Sequence, residues 1–111
     1  MSHEMPLDIL RANSEAMAGR MRILSHPERL LMLCRMSDGE VTVGELVELT
    51  GMSQSAVSQH LARLRDGGLV SVRREGPSRH YRLVDDDVRQ IIAALWTICQ
   101  ARSLGRLAET A

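Results

Sequence analysis

The four residues Thr50-Gly51-Met52-Ser53 constrain this chain more than any other stretch, because they separate a pair of short amphipathic runs that would otherwise continue as one helix. Upstream, Thr42 stands three residues before Glu45, the spacing of a reciprocal capping box. Leu46 and Leu49 supply the apolar side of that helix, and Gly51 ends it. Downstream, Ser53 is a helix-opening residue, Val57, Leu61 and Leu64 recur at helical spacing, and Gly67-Gly68 closes the run after Asp66. Two short helices joined this way, over about residues 42–66, read as a helix-turn-helix.

The flanks narrow the reading. Leu69-Val70-Ser71-Val72-Arg73 and His80-Tyr81-Arg82-Leu83-Val84 are strand-forming runs around the turn cluster Glu75-Gly76-Pro77-Ser78, which predicts a β-hairpin over about 69–84. On the N-terminal side, Leu10, Met17, Met21 and Leu24 mark a helix over about 7–24. Ser25 or His26 opens a second, with Pro27 at a first helical position and Leu30, Leu31, Leu33, Cys34 and Met36 inside before Asp38-Gly39 stops it. Asp85 to Asp87 provide an acidic start for a last helix over about 86–104, bearing Val88, Ile91, Ile92, Leu95, Trp96, Ile98 and Cys99. That apolar stripe is wider than one small core can bury, so some of it is expected to face a partner. The 111 residues therefore predict a single domain, 1–111. Its fold class is mainly α with a β-hairpin wing: a winged helix-turn-helix of about five helices and two strands, homodimeric through its first and last helices.

Formal net charge is zero, yet the charge is segregated. From Gln54 to Arg82 there are six arginines (63, 65, 73, 74, 79, 82) against Asp66 and Glu75, so an excess of positive charge here is balanced by negative charge elsewhere. One basic face on an acidic remainder suits a phosphate-bearing partner. All 14 basic residues are arginine, a bias that genome composition accounts for as well as selection does. Met1-Ser2-His3-Glu4 opens no secretory signal, and no apolar run is long enough for a membrane span, so a cytoplasmic protein is expected. Two cysteines 65 positions apart make no disulfide framework and imply free thiols in a reducing cytosol.

On the helix that Ser53 opens, 100° per residue gathers Ser55, Ser58, Gln59 and Ala62 on the arc opposite Val57, Leu61 and Leu64. Short side chains let a helix lie deep in a major groove, and Ser and Gln can exchange hydrogen bonds with base edges. A solvated helix face is the plainer alternative, and it is the helix-turn-helix and hairpin context that tips the reading to DNA. Arg63 and Arg65 at the end of this helix, with Arg73, Arg74, Arg79 and Arg82 on the hairpin, are placed to neutralise phosphates on both sides of a groove.

Leu24-Ser25-His26-Pro27-Glu28-Arg29-Leu30, then Ser53-Gln54-Ser55-Ala56-Val57-Ser58-Gln59-His60-Leu61, then Leu64-Arg65, resemble the ArsR/SmtB family of bacterial repressors. The resemblance covers nearly the whole chain. It implies a homodimer that binds double-stranded operator DNA and releases it on sensing an inducer. The expected DNA-binding residues are Ser53, Gln54, Ser55, Ser58, Gln59, His60, Arg63, Arg65, Arg74 and Arg79.

Metal sensing, which the family often performs, is not expected. Thr42-Val43-Gly44-Glu45 replaces the Cys-x-Cys run of the third-helix site, and the last helix beyond Arg89 has neither His nor Asp. The histidines at 3, 26, 60 and 80 lack paired ligand spacing, so His26 is read as a capping or packing residue, His60 as DNA-proximal, and no metal or cofactor is predicted. What remains is one cysteine on the second helix, Cys34, and one on the last, Cys99. This placement resembles the persulfide- and redox-responsive branch of the family, which implies a reactive sulfur species or oxidant as inducer. Small buried core residues are the alternative reading of both cysteines. A different inducer, a protein-interaction module and a cysteine-nucleophile enzyme are the competing functions; the last lacks any sign of a cleft or an orienting group.

Overall fold

The computed structural model describes residues 6–110, with side chains through residue 105. Eight elements follow in order: α1 Leu7–Leu24, α2 Pro27–Ser37, β1 Val41–Thr42, α3 Val43–Thr50, α4 Gln54–Asp66, β2 Val70–Glu75, β3 Ser78–Leu83 and α5 Asp86–Thr110.

Local chemistry sets most of these boundaries. His26 caps α2, its Nδ1 accepting from the Glu28 amide at 3.2 Å ahead of Pro27. Thr42 and Glu45 close a reciprocal capping box: the Glu45 amide donates to Thr42 Oγ1 at 3.2 Å and the Thr42 amide to Glu45 Oε1 at 3.1 Å. Ser53 Oγ accepts from the Ala56 amide at 3.1 Å to start α4. The end of α4 is a Schellman motif: the Leu69 amide reaches the Leu64 carbonyl and the Gly68 amide the Arg65 carbonyl, each at 3.0 Å, with Gly68 at φ 75°.

The sheet is antiparallel in the order β1-β3-β2. Two strands are predicted by the alternation of the sequence, and the structure has a third: Val41 pairs with Tyr81 and Thr42 with His80. Two residues are too few to display a period, and Thr42 doubles as the cap of α3, so this strand leaves no pattern of its own. The hairpin turns tightly at Gly76-Pro77, with Gly76 at φ 59°, the sign a type II′ turn requires. α5 runs to Thr110, beyond the expected end near 104.

The core gathers under the helix-turn-helix. Met32, Leu33 and Met36 of α2, Val41, Leu46 of α3, Val57, Leu61 and Leu64 of α4, Leu83 of the sheet and Val88 of α5 are all buried to within about 1%. Among the described residues no charged residue is buried as a whole, although single polar atoms of Glu28 and His60 are enclosed. α1 contributes only Leu24 to this cluster. The radius of gyration is 16.7 Å, against about 13 Å for a compact chain of this length. Its shortest dimension is only 20 Å, so α1 and α5 reach out from a flat body.

Candidate nucleic-acid interface and thiol pair

The three buried residues of α4, Val57, Leu61 and Leu64, fix which face looks out. Ser55, Ser58, Gln59 and Ala62 are exposed together on that outward face, with Gln54 at the helix start. Beside them a cleft of about 510 Å³ separates α4 from the wing and the start of α3; Gln54, Ser58, Arg65, Ser78 and Arg79 are among its lining. Ser53 has its hydroxyl engaged in capping the start of α4.

The wing arginines divide into two kinds. Arg73 is held by acids of the same chain, 2.9 Å from Glu40 and 2.8 Å from Glu75. These pairs raise its pKa and hold both carboxyls below the ordinary carboxylate range. Arg82 donates to Ser71 Oγ at 3.4 Å. Arg74 and Arg79 instead face each other across the hairpin register, both exposed. Among the described residues neither forms an ion pair with an acid, and the same is true of Arg63 and Arg65. Like charges directly opposed on a hairpin repel, and no acid of the described residues relieves this pair.

His60, expected to be DNA-proximal, sits at the edge of the outward face of α4. Its ring is half-buried, with its centroid 4.9 Å from that of His26, and its Nδ1 is fully enclosed. Residue 60 follows Val57 by three, which carries it round the helix toward the core side.

Cys34 is half-buried on α2 and Cys99 exposed on α5. Burial pushes the Cys34 thiol up, and the neighbouring Cys99 and Asp38 push in the same direction. Arg35 gives Cys34 no thiolate stabilisation: it turns to Glu45, at 3.3 Å. Cys34 lines a groove of about 610 Å³ whose walls include Leu31, Leu49, Ile92 and Trp96. Trp96 stands one helical turn before Cys99. Among the described residues no group of three or more His, Cys, Asp or Glu is placed to hold a metal ion, and no helix is long and apolar enough to cross a membrane.

Some contacts that shape this region are invisible in the sequence. Arg20 of α1 donates to Asp85 at 3.0 Å and reaches Asp87 at 3.3 Å, tying α1 to the start of α5. Glu40 meets Arg73 from 33 positions away. Neither pairing follows a local spacing rule.

Residues 26–72 match the family model described as bacterial regulatory protein, arsR family. The chain is similar to the HTH-type transcriptional regulator YgaV of Escherichia coli (strain K12), with 45% identity over 87 residues, which is 78% of this chain and 88% of the relative. It is 37% identical over 95 residues to the biofilm growth-associated repressor of Agrobacterium fabrum, covering 86% of this chain and 81% of that protein. Among solved structures, the transcriptional repressor BigR from Xylella fastidiosa superposes with a TM-score of 0.79 at 36% identity, over 85% of this chain and 96% of the other. With its winged helix-turn-helix, its outward polar helix and these relatives, the chain belongs to the arsR family of bacterial regulatory proteins and is a transcriptional regulator, not an enzyme.

Proposed function

We propose that this protein is a cytoplasmic repressor that acts as a single-domain homodimer, binds operator DNA with α4 and the wing, and releases it when Cys34 and Cys99 are joined by a reactive sulfur species. The observation that carries the DNA reading is the division of the wing: Arg73 is neutralised internally while Arg74 and Arg79 stand opposed and open. In this reading Ser55, Ser58 and Gln59 meet base edges. Gln54, Arg63, Arg65, Arg74 and Arg79 meet the backbone. Dimerisation uses the exposed apolar residues of α1 and α5, including Leu10, Met21, Ile98 and Leu104.

The thiol chemistry balances with an organic hydropersulfide as the oxidant. The Cys99 thiolate attacks the sulfane sulfur, expels the organic thiolate and becomes a hydropersulfide. The Cys34 thiolate then attacks the inner sulfur of that group, Cys99 Sγ, and expels the outer sulfur as hydrosulfide. The sum is two protein thiols and one hydropersulfide giving one disulfide, one thiol and one hydrogen sulfide. Each further sulfur retained in the bridge consumes one more hydropersulfide and releases one more thiol. Exposure of Cys99 and the raised pKa of Cys34 support this order, since the thiolate is the nucleophile. A link from α2 to α5 would alter the spacing of the two reading heads, which must match half-sites about 34–36 Å apart.

The test is a mobility shift with the promoter of the protein's own operon, before and after hydropersulfide treatment, with mass spectrometry of the product. Cys34→Ser and Cys99→Ser should each bind and ignore the inducer. If both variants release DNA as the parent does, the cysteines are packing residues. The groove beside Cys34 supports a second reading, in which a small apolar inducer binds there without covalent chemistry. In that case the same two variants would keep their response.

A further inference from the structure

The joint between α2 and α4 carries an unusual set of groups. His26 Nδ1 accepts from the Glu28 amide, so that nitrogen must stay unprotonated to cap α2. The His60 ring lies against it at 4.9 Å, tilted by 60°. His60 Nδ1 and Glu28 Oε2 are both buried, and neither has a hydrogen-bond partner among the described residues. Buried polar atoms are almost always paired, so two exceptions at one contact call for an explanation.

The charged surroundings decide what a proton would do there. Facing His60 are His26 at the cap of α2, Glu28 and Arg29 of α2, and Arg63 of α4 itself. Arg22 of α1 borders the adjoining groove with Arg29 and Arg63. Cations outnumber the single carboxylate. Burial first, then His26, Arg29 and Arg63, hold the His60 imidazole below its ordinary range, with Glu28 opposing.

We propose that the His26–His60 contact is a proton-sensitive joint that positions the recognition helix: the neutral rings seat α4 on the N-terminus of α2, and protonation of His60 separates them and weakens DNA binding. His60 is thus a positioning residue, acting through its neighbours Ser58 and Gln59. A histidine whose folded pKa is depressed binds protons less readily than in the open state. The joint is therefore intact above the ordinary histidine value, about 6.5, and is lost as pH falls from there through the lower folded value. This sign opposes general electrostatics, because acid makes the protein more positive and should otherwise tighten its hold on phosphate.

The inference rests on α4 being the recognition helix, and two measurements separate the claims. The first follows the imidazole proton resonances of the reduced full-length protein by NMR between pH 8 and pH 5. The second measures affinity for the promoter DNA of its own operon over the same range at fixed ionic strength. The expected result is a His60 midpoint below 6.5, with affinity falling at least threefold around that midpoint, and a His60→Asn variant that binds at pH 7.5 without this fall. A His60 midpoint at or above 6.5, affinity that rises steadily with acid, or a His60→Asn variant with the parent's pH profile overturns the proposal. If His60→Asn does not fold, the coincidence of the parent's two midpoints, or its lack, decides. Absence of DNA binding at every pH would instead overturn the assignment of α4.

Discussion

The head of the molecule and its two outer helices use their apolar residues in opposite ways. In the head, Leu33, Leu46, Val57, Leu61 and Leu64 are each exposed by no more than 1%. On α1 and the later stretch of α5, Ile9, Met21, Trp96 and Ile98 are exposed by 45–63%. Similar side chains thus close a core in one region and face outward in the other. A head that satisfies itself can keep its shape whatever the outer helices meet, which is the division of labour the proposed regulated repressor needs.

The most severe way to break the comparison is to open the head. Leu61→Ala should lower unfolding stability by about 2–5 kcal/mol, because it removes methyl groups from a site with little room to collapse. Urea denaturation would measure it, and a change below about 1 kcal/mol would mean that the head is not the tightly packed unit.

The matching change on the outer helices is Ile98→Asp. It should leave the fold of each protomer in place but weaken self-association by about 2 kcal/mol or more, the cost of a charge in an interface centre. Sedimentation equilibrium reads this directly. An unchanged dimer, or a parent that is monomeric at micromolar concentration, removes the outer helices from the interface.

Within the head, the two kinds of wing arginine sharpen the contrast further. Arg74→Ala and Arg79→Ala should each reduce the slope of log affinity against log salt by about 1 for every phosphate that is no longer neutralised. Arg73→Ala should leave the slope unchanged, since Glu40 and Glu75 already occupy that guanidinium. Equal slopes for all three variants would show that the internal ion pairs open on DNA.

The smallest expected effect lies where the regions meet. Arg20 holds the Asp85 carboxyl below its ordinary 3.8, with burial opposing. A carboxylate with a depressed folded pKa contributes stability above its unfolded value and loses it as pH falls through the folded one. Arg20→Ala should therefore lower the melting temperature at pH 7 slightly and flatten the acid side of the stability profile. Identical parent and variant profiles between pH 5 and pH 2 would remove the role given to this ion pair.

What was legible in the sequence follows from how far apart the interacting groups lie. The capping box of Thr42 and Glu45, the start at Ser53 and the stop at Gly67-Gly68 involve partners within five positions, so residue type and spacing reveal them. The outward arc of Ser55, Ser58 and Gln59 was readable for the same reason, helical periodicity being local. The contact of His60 with His26, 34 positions earlier, was not legible in the same way, because only packing brings the two together.

Sequence by itself determined the order of elements, the turn chemistry, the inner and outer faces of α4 and the concentration of arginine near the wing, all of which are set by short-range bonding and period. Tertiary structure decided which arginines remain open, that β1 joins the hairpin, that Cys34 is half-sheltered while Cys99 is exposed, and which residues of the wide apolar stripe on α5 stay uncovered. Those outcomes depend on burial and on charges brought together from distant positions, and the free energy of a thiol, an imidazole or a guanidinium is set by what surrounds it in space, not by its neighbours in the chain.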